Sequence, residues 1–227
     1  MKPQVILALD VDDFRKAKYF IDKLSKKIKT FKVGAHLFTA LGPKIIELIR
    51  RKGGEVFLDL KFFDIPNTVA QAVRMAVRHK VQMLTLHILG DEEMIKAAVI
   101  AAKDEAKKLK VKKPLLIGVT VLTSKEANSS DVLTLAKMGI ECGLDGVVCS
   151  AREAKMLRES IKRNFVIVTP GIRPQGGIKN DQKRTATIAE AIKAGSNFLV
   201  IGRPILEAKD PLKSAQEILG EAYGRRD

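Results

Sequence analysis

Eight short apolar runs at regular intervals constrain this chain more than any other feature. They lie at residues 4–10, 30–34, 55–61, 82–87, 114–122, 146–151, 164–170 and 197–202. Each is rich in Val, Ile and Leu and nearly continuous in apolar character. Strands buried on both faces read this way, and parallel strands are buried on both faces. Between the runs lie amphipathic stretches of helical period. Residues 12–28 put Phe14, Ala17, Phe20, Ile21, Leu24 and Ile28 on one stripe. The same pattern marks 43–51, 66–79, 91–109, 130–142, 151–161, 187–194 and 211–223. Eight strands alternating with eight helices predict an α/β fold, a single closed (β/α)8 TIM barrel, with an open doubly wound sheet as the alternative. A chain of 227 residues fits one such domain spanning 1–227.

Composition narrows the classes. The apolar fraction, 46%, is that of a globular protein. No apolar run approaches the ~20 residues of a membrane helix. The opening MKPQVILALD reads as a first strand and not as a signal peptide, so a cytoplasmic location is expected. Cys142 and Cys149 belong to no CxxC pair, and His36, His79 and His87 are scattered. Two reduced buried thiols and no metal site are the expectation. The formal charge is +15, from 41 Lys and Arg against 26 Asp and Glu. Such an excess suits nucleic acid, a small anionic substrate, or a Lys-rich solvated surface. The lysines fall mostly on polar faces of expected helices. With aromatics at 5% and no Trp, a base-stacking surface is hard to build. Nucleic-acid binding is therefore not expected.

In a parallel barrel the site forms at the C-terminal ends of the strands. Here those ends carry Asp10, Lys32, Asp59 with Lys61, Thr123 with Ser124, Arg173, and Gly202 with Arg203. Asp59 and Lys61 are two apart on one strand and so share a face. Asp64 follows closely. The alternative is a buried ion pair with Asp64 capping the next helix, where Pro66 suits the first turn. Burying such a pair carries a desolvation cost, so stability alone is a poor reason for it. Lys32 can be read as a snorkelling lysine, Asp10 as a helix cap, and Thr123 and Ser124 as caps of the following helix. His87 closes the fourth run, either lining the site or sitting satisfied in the core. Gly202-Arg203, after the eighth run, suits a phosphate: glycine allows close backbone approach and arginine offers a fixed donor fork. The polar loop 173–184, with Gly176-Gly177, reads as a lid.

Seven segments together resemble the orotidine 5′-monophosphate decarboxylase family. They are LALD at 7–10, FKVG at 31–34, DLKFFDIPNT at 59–68, VTVLTS at 119–124, VTPGIR at 168–173, NDQKR at 180–184 and VIGRPI at 200–205. They span nearly the whole chain in family order. The DxKxxD block with its trailing IPNT is the most specific, whereas the bare DxK also occurs in related sugar-phosphate barrels.

The resemblance implies a cofactor-free decarboxylation of orotidine 5′-monophosphate to uridine 5′-monophosphate, with Lys61 giving a proton to C6. It implies a charge network of Lys32, Asp59, Lys61 and Asp64. Asp10 and Lys32 match ribose contacts, and Thr123 and Ser124 match the segment touching the pyrimidine. Arg173, Gln182, Gly202 and Arg203 match the phosphate grip. A homodimer is implied, with Asp64 and Thr68 reaching the partner's site. Family members often carry Thr-Pro shortly after the position of Arg184. This chain has Thr187-Ile188, so the resemblance leaves the start of that helix open.

Overall fold

The computed structural model of the chain describes residues 2–122, 128–174 and 185–224. Its main strands are β1 (Gln4–Ala8), β2 (Thr30–Gly34), β3 (Glu55–Phe62), β4 (Met83–His87), β5 (Leu115–Val119), β6 (Gly146–Val148), β7 (Val166–Thr169) and β8 (Phe198–Ile201). They pair side by side in chain order. β1 also pairs in parallel with β8, from Gln4 opposite Phe198 to Leu7 opposite Ile201. That last pairing closes the barrel and rules out the open sheet.

Side-chain parity sorts each strand into two layers. Val5, Leu7, Phe31, Val33, Val56, Leu58, Leu84, Leu116, Leu199 and Ile201 pack outward with the helices. Ile6, Ala8, Phe57, Met83, Ile117, Val168, Phe198 and Val200 form a separate inner cluster. The lumen is thus a packed core. Burying each large aliphatic side chain in either layer contributes about 1.5–3 kcal/mol relative to exposure.

The helices are α1 (Phe14–Leu24), α2 (Ala35–Leu41), α3 (Lys44–Arg51), α4 (Pro66–Arg78), α5 (Asp91–Leu109), α6 (Ser129–Glu141), α7 (Ala151–Ser160), α8 (Ile188–Lys193), α9 (Arg203–Leu206) and α10 (Pro211–Tyr223). α5 and α10 have the bounds expected from periodicity. α2 and α9 were not expected. They have seven and four residues and are second helices after β2 and β8, which the one-helix-per-strand alternation does not anticipate. Two further short strands, Ile172–Arg173 and Ala186–Thr187, pair with each other beside the barrel.

Several caps differ from the sequence reading. Asp13, not Asp10, caps α1, its carboxylate accepting from the Lys16 N–H at 2.9 Å. Asn128 caps α6, the role considered for Thr123 and Ser124, which lie outside the described residues. Pro66 opens α4 as expected, but Ile65 holds the cap position; the Asp64 carboxylate accepts from the Ile65 N–H at 2.7 Å. At the helix start that the resemblance left open, Thr187 and Glu190 build a reciprocal capping box for α8. Phe14, placed on the buried stripe of α1, is 40% exposed. It lies one residue after the cap, before the helix has turned onto the core. Cys149 is buried, whereas Cys142 is half-buried, short of the burial expected for it.

Candidate active site

The inward parity of the strands runs out of apolar residues at the C-terminal mouth. Below, Ala8, Phe57, Val119, Val148, Val168 and Val200 make an apolar floor. Above it stand Asp10, Lys32, Asp59, Lys61, Arg173, Gly202 and Arg203 around a cavity of about 250 Å³. Seven positions singled out in the sequence are thereby brought together.

The charges are wired in sequence. Lys32 Nζ lies 3.1 Å from Asp10 Oδ1 and 3.6 Å from Asp59 Oδ2. Lys61 Nζ donates to Asp59 Oδ1 at 2.9 Å. Exposure is lowest in the middle of this chain: the Asp59 and Lys32 side chains are 12% and 13% exposed, Lys61 is 37% and Asp10 62% exposed. Lys61 therefore presents its ammonium to the cavity, while Asp59 is held from both sides. Burial pushes the Asp59 carboxyl up. The field of Lys32 and Lys61, with hydrogen bonds from Lys61 and Thr85, outweighs it and holds Asp59 below the usual carboxylate range. Among the described residues, no three His, Cys, Asp or Glu side chains are gathered to hold a metal ion.

The strand that carries the pair is not regular. Leu58 pairs with Leu84 and Phe62 with Leu86, so three residues of β3, Asp59 to Lys61, face the single residue Thr85 of β4. Lys61 has φ 52°, the left-handed region that few non-glycine residues enter. The period-two reading of Asp59-Leu60-Lys61 thus reached the right face, but through a bulge and not a plain pleat. Thr85 was missed by sequence reasoning. It is fully buried, accepts from the Lys61 N–H at 2.9 Å and donates to Asp59 Oδ1 at 3.0 Å. A polar residue inside the apolar run MLTLH was the available signal. Gly34 has a role of the same kind, since a Cβ there would stand 3.2 Å from Lys32 Nζ.

Across the cavity, Gly202 and Arg203 follow β8, and Arg173 lies on the short side strand. A Cβ at Gly202 would stand 3.3 Å from Ala8 Cβ and 3.6 Å from Asp10 Oδ2. The helix after Gly202 is only one turn, Arg203–Leu206. Its dipole is correspondingly small, so the two guanidinium groups supply most of the positive field on this side.

Other expected residues do not line the cavity. Asp64 and Thr68 are exposed on the β3–α4 connection and the start of α4. Asp64 therefore stands outside the ion-pair chain of Asp10, Lys32, Asp59 and Lys61. His87 does not line the cavity, and its ring lies 5.5 Å from that of Phe63. Its buried Nδ1 has no hydrogen-bond partner among the described residues. Burial first, then Lys61, lowers the His87 pKa against the opposing pull of Asp59. Gln182, Thr123, Ser124 and all but the first two residues of the 173–184 loop lie outside the described residues.

A parallel eightfold barrel whose strand ends converge on a buried carboxylate between two ammonium groups defines a (β/α)8 enzyme with an electrostatic site. The chain belongs to the orotidine 5′-phosphate decarboxylase / HUMPS family, whose description it matches over residues 3–218. It is 46% identical to the orotidine 5′-phosphate decarboxylase of Geobacter metallireducens, over 97% of this chain and 96% of that protein. It is 44% identical to the enzyme of that name from Moorella thermoacetica, over 97% and 92%. The crystal structure of orotidine 5′-phosphate decarboxylase from Lactobacillus acidophilus superposes with a TM-score of 0.84 at 34% identity, covering 98% of this chain and 99% of that one.

Proposed function

We propose that this chain, as one barrel domain over residues 1–227, converts orotidine 5′-monophosphate to uridine 5′-monophosphate in pyrimidine biosynthesis, in the cytoplasm and without a cofactor. The observation that carries the reading is the Lys61 ammonium, 2.9 Å from a buried carboxylate and open to the cavity. Loss of CO2 leaves an electron pair in the ring plane at C6, where the π-system cannot take it up. Fixed charge must stabilise it. The C6–carboxylate bond breaks, CO2 departs, and a proton moves from Lys61 Nζ to C6. Solvent then reprotonates the neutral amine. Asp59 orients Lys61 and stands where the departing carboxylate would sit. Lys32 keeps Asp59 ionised. Asp10 and Lys32 suit the ribose hydroxyls. Gly202, Arg203 and Arg173, with Gln182, suit the phosphate, and Thr123 and Ser124 suit the pyrimidine. Phosphate binding far from the reacting bond can draw the 173–184 loop over the site.

The active form in this reading is a homodimer in which Asp64 and Thr68 complete the partner's site. Both are exposed, and Asp64 is flanked by Phe63 and Ile65, which are 61% and 67% exposed. Leu89, in the short turn after β4, adds a further apolar group at 59%. Apolar exposure of this kind around a functional charge suits a subunit contact. Mixing inactive Lys61→Ala and Asp64→Ala proteins tests it. Statistical exchange between shared-site dimers restores up to about a quarter of the wild-type sites, whereas no recovery would remove Asp64 from the partner's site.

The decisive assay follows the absorbance of orotidine 5′-monophosphate with and without EDTA. Turnover that survives the chelator is the expected result. Turnover of a sugar phosphate that EDTA abolishes would instead favour a metal-dependent hexulose-phosphate reaction.

A further inference from the structure

We infer that Thr85 is a positioning residue: its hydroxyl pins the β3 bulge and thereby aims Lys61 into the cavity. The inference rests on the function proposed above and extends it to a residue that the catalytic set leaves out. Three residues of β3 face Thr85 alone. A bulge leaves backbone groups without ladder partners, and something else must bond them. Here the Lys61 N–H is taken by Thr85 Oγ1 at 2.9 Å, and the same hydroxyl gives its proton to Asp59 Oδ1 at 3.0 Å. One oxygen therefore ties the backbone of Lys61 to the carboxylate that its own ammonium contacts. The left-handed φ of Lys61 persists only where its surroundings over-determine it. Thr85 is fully buried, so water cannot replace its hydroxyl without opening the barrel. Valine has nearly the same shape and no hydroxyl; serine keeps the hydroxyl and loses the methyl.

The groups that act on Asp59 come from three strands. Lys32 faces it from β2, with Asp10 beyond. Lys61 shares β3. β4 supplies Thr85 and His87, the latter coupled electrostatically to both Asp59 and Lys61. Loss of the Thr85 donor removes one of the interactions holding the Asp59 carboxyl down, so its titration moves to higher pH. Activity that needs ionised Asp59 falls as pH drops through that point, so the acid limb of kcat moves up with it.

The test compares kcat, KM and pH profiles of wild type, Thr85→Val and Thr85→Ser. Thr85→Val is expected to lower kcat by about 10- to 100-fold with KM little changed. Its acid limb should move to higher pH, and Thr85→Ser should recover most of the loss. A wild-type profile in Thr85→Val, or an equal loss in Thr85→Ser, overturns the inference. If the wild-type protein itself fails to turn over orotidine 5′-monophosphate, the proposed function falls. The inference is then decided by the crystal structure of Thr85→Val. An unchanged Lys61 backbone and Lys61–Asp59 contact would overturn it, and a shifted Lys61 would support it. Should Thr85→Val fail to fold, Thr85→Ala and the Thr85→Ser profile decide in the same way.

Discussion

The two ends of the barrel use polar groups in opposite ways. At the N-terminal end Arg158, Asn197 and Asp145 are consumed by bonding. Arg158 donates to the carbonyls of Gly195 and Phe165, at 3.1 and 2.7 Å, and to the Asn197 side chain; it also stacks on the Phe165 ring. Asn197 in turn accepts from the Ile167 N–H at 2.8 Å, and Asp145 takes both the Leu116 N–H and Lys113. These bonds stitch the loops to the strand starts. At the C-terminal mouth, by contrast, Asp10, Lys32, Asp59 and Lys61 bond chiefly to one another around a cavity. Their fields reach into it, and one backbone is held in a costly conformation to aim the last ammonium. A satisfied polar group stabilises, whereas a charge facing a cavity can act on what enters.

That contrast makes opposite demands on mutants of the two ends. The largest effect is expected for Lys61→Ala. It should lower kcat by more than about 10³-fold, since the proposed mechanism gives Lys61 both the proton and the charge opposite the carbanion. Its melting temperature should stay near wild type, and retained turnover would remove Lys61 from the chemistry. Arg203→Ala should follow, lowering kcat/KM by roughly 10²-fold with an unchanged circular dichroism spectrum. Unaltered kinetics would move the phosphate elsewhere. At the other end the signs reverse: Arg158→Ala should destabilise by about 2–4 kcal/mol in urea titration, because three acceptors lose a common donor. Its kcat/KM at 25 °C should stay within about twofold of wild type. A kinetic loss without a stability loss would erase the distinction between the ends. The smallest effect is expected for Gly34→Ala, whose methyl would press on Lys32 Nζ at 3.2 Å. A change of about tenfold or less in kcat/KM is anticipated, since the flexible ammonium can give way. No change at all would show that Lys32 needs no such clearance.

The periodicity of apolar residues was enough to derive the barrel, because a strand buried on both faces and an amphipathic helix are each local patterns. It placed β2 from 30 to 34, and α5 and α10 at their observed bounds. It missed α2 and α9, which are added to the one helix per strand that the alternation implies. The charged residues at the strand ends were legible for a similar reason. Parity along β1, β2, β3 and β8 continues from the lumen core to Asp10, Lys32, Asp59 and Gly202.

What no local pattern contains is which residue of a neighbouring strand stands opposite. In sequence Asp10 reads equally as a cap, but Asp13 holds that position and Asp10 stands at the mouth beside Lys32. Asp64 belongs to the same sequence block as Asp59 and Lys61, yet it does not line their cavity. The bulge opposite Thr85 and the left-handed turn at Lys61, whose N–H donates to Thr85, arise where two strands meet. Residue order dictates the side-chain period within each strand. Register between strands, and the close approaches it creates, depend on how the whole barrel closes.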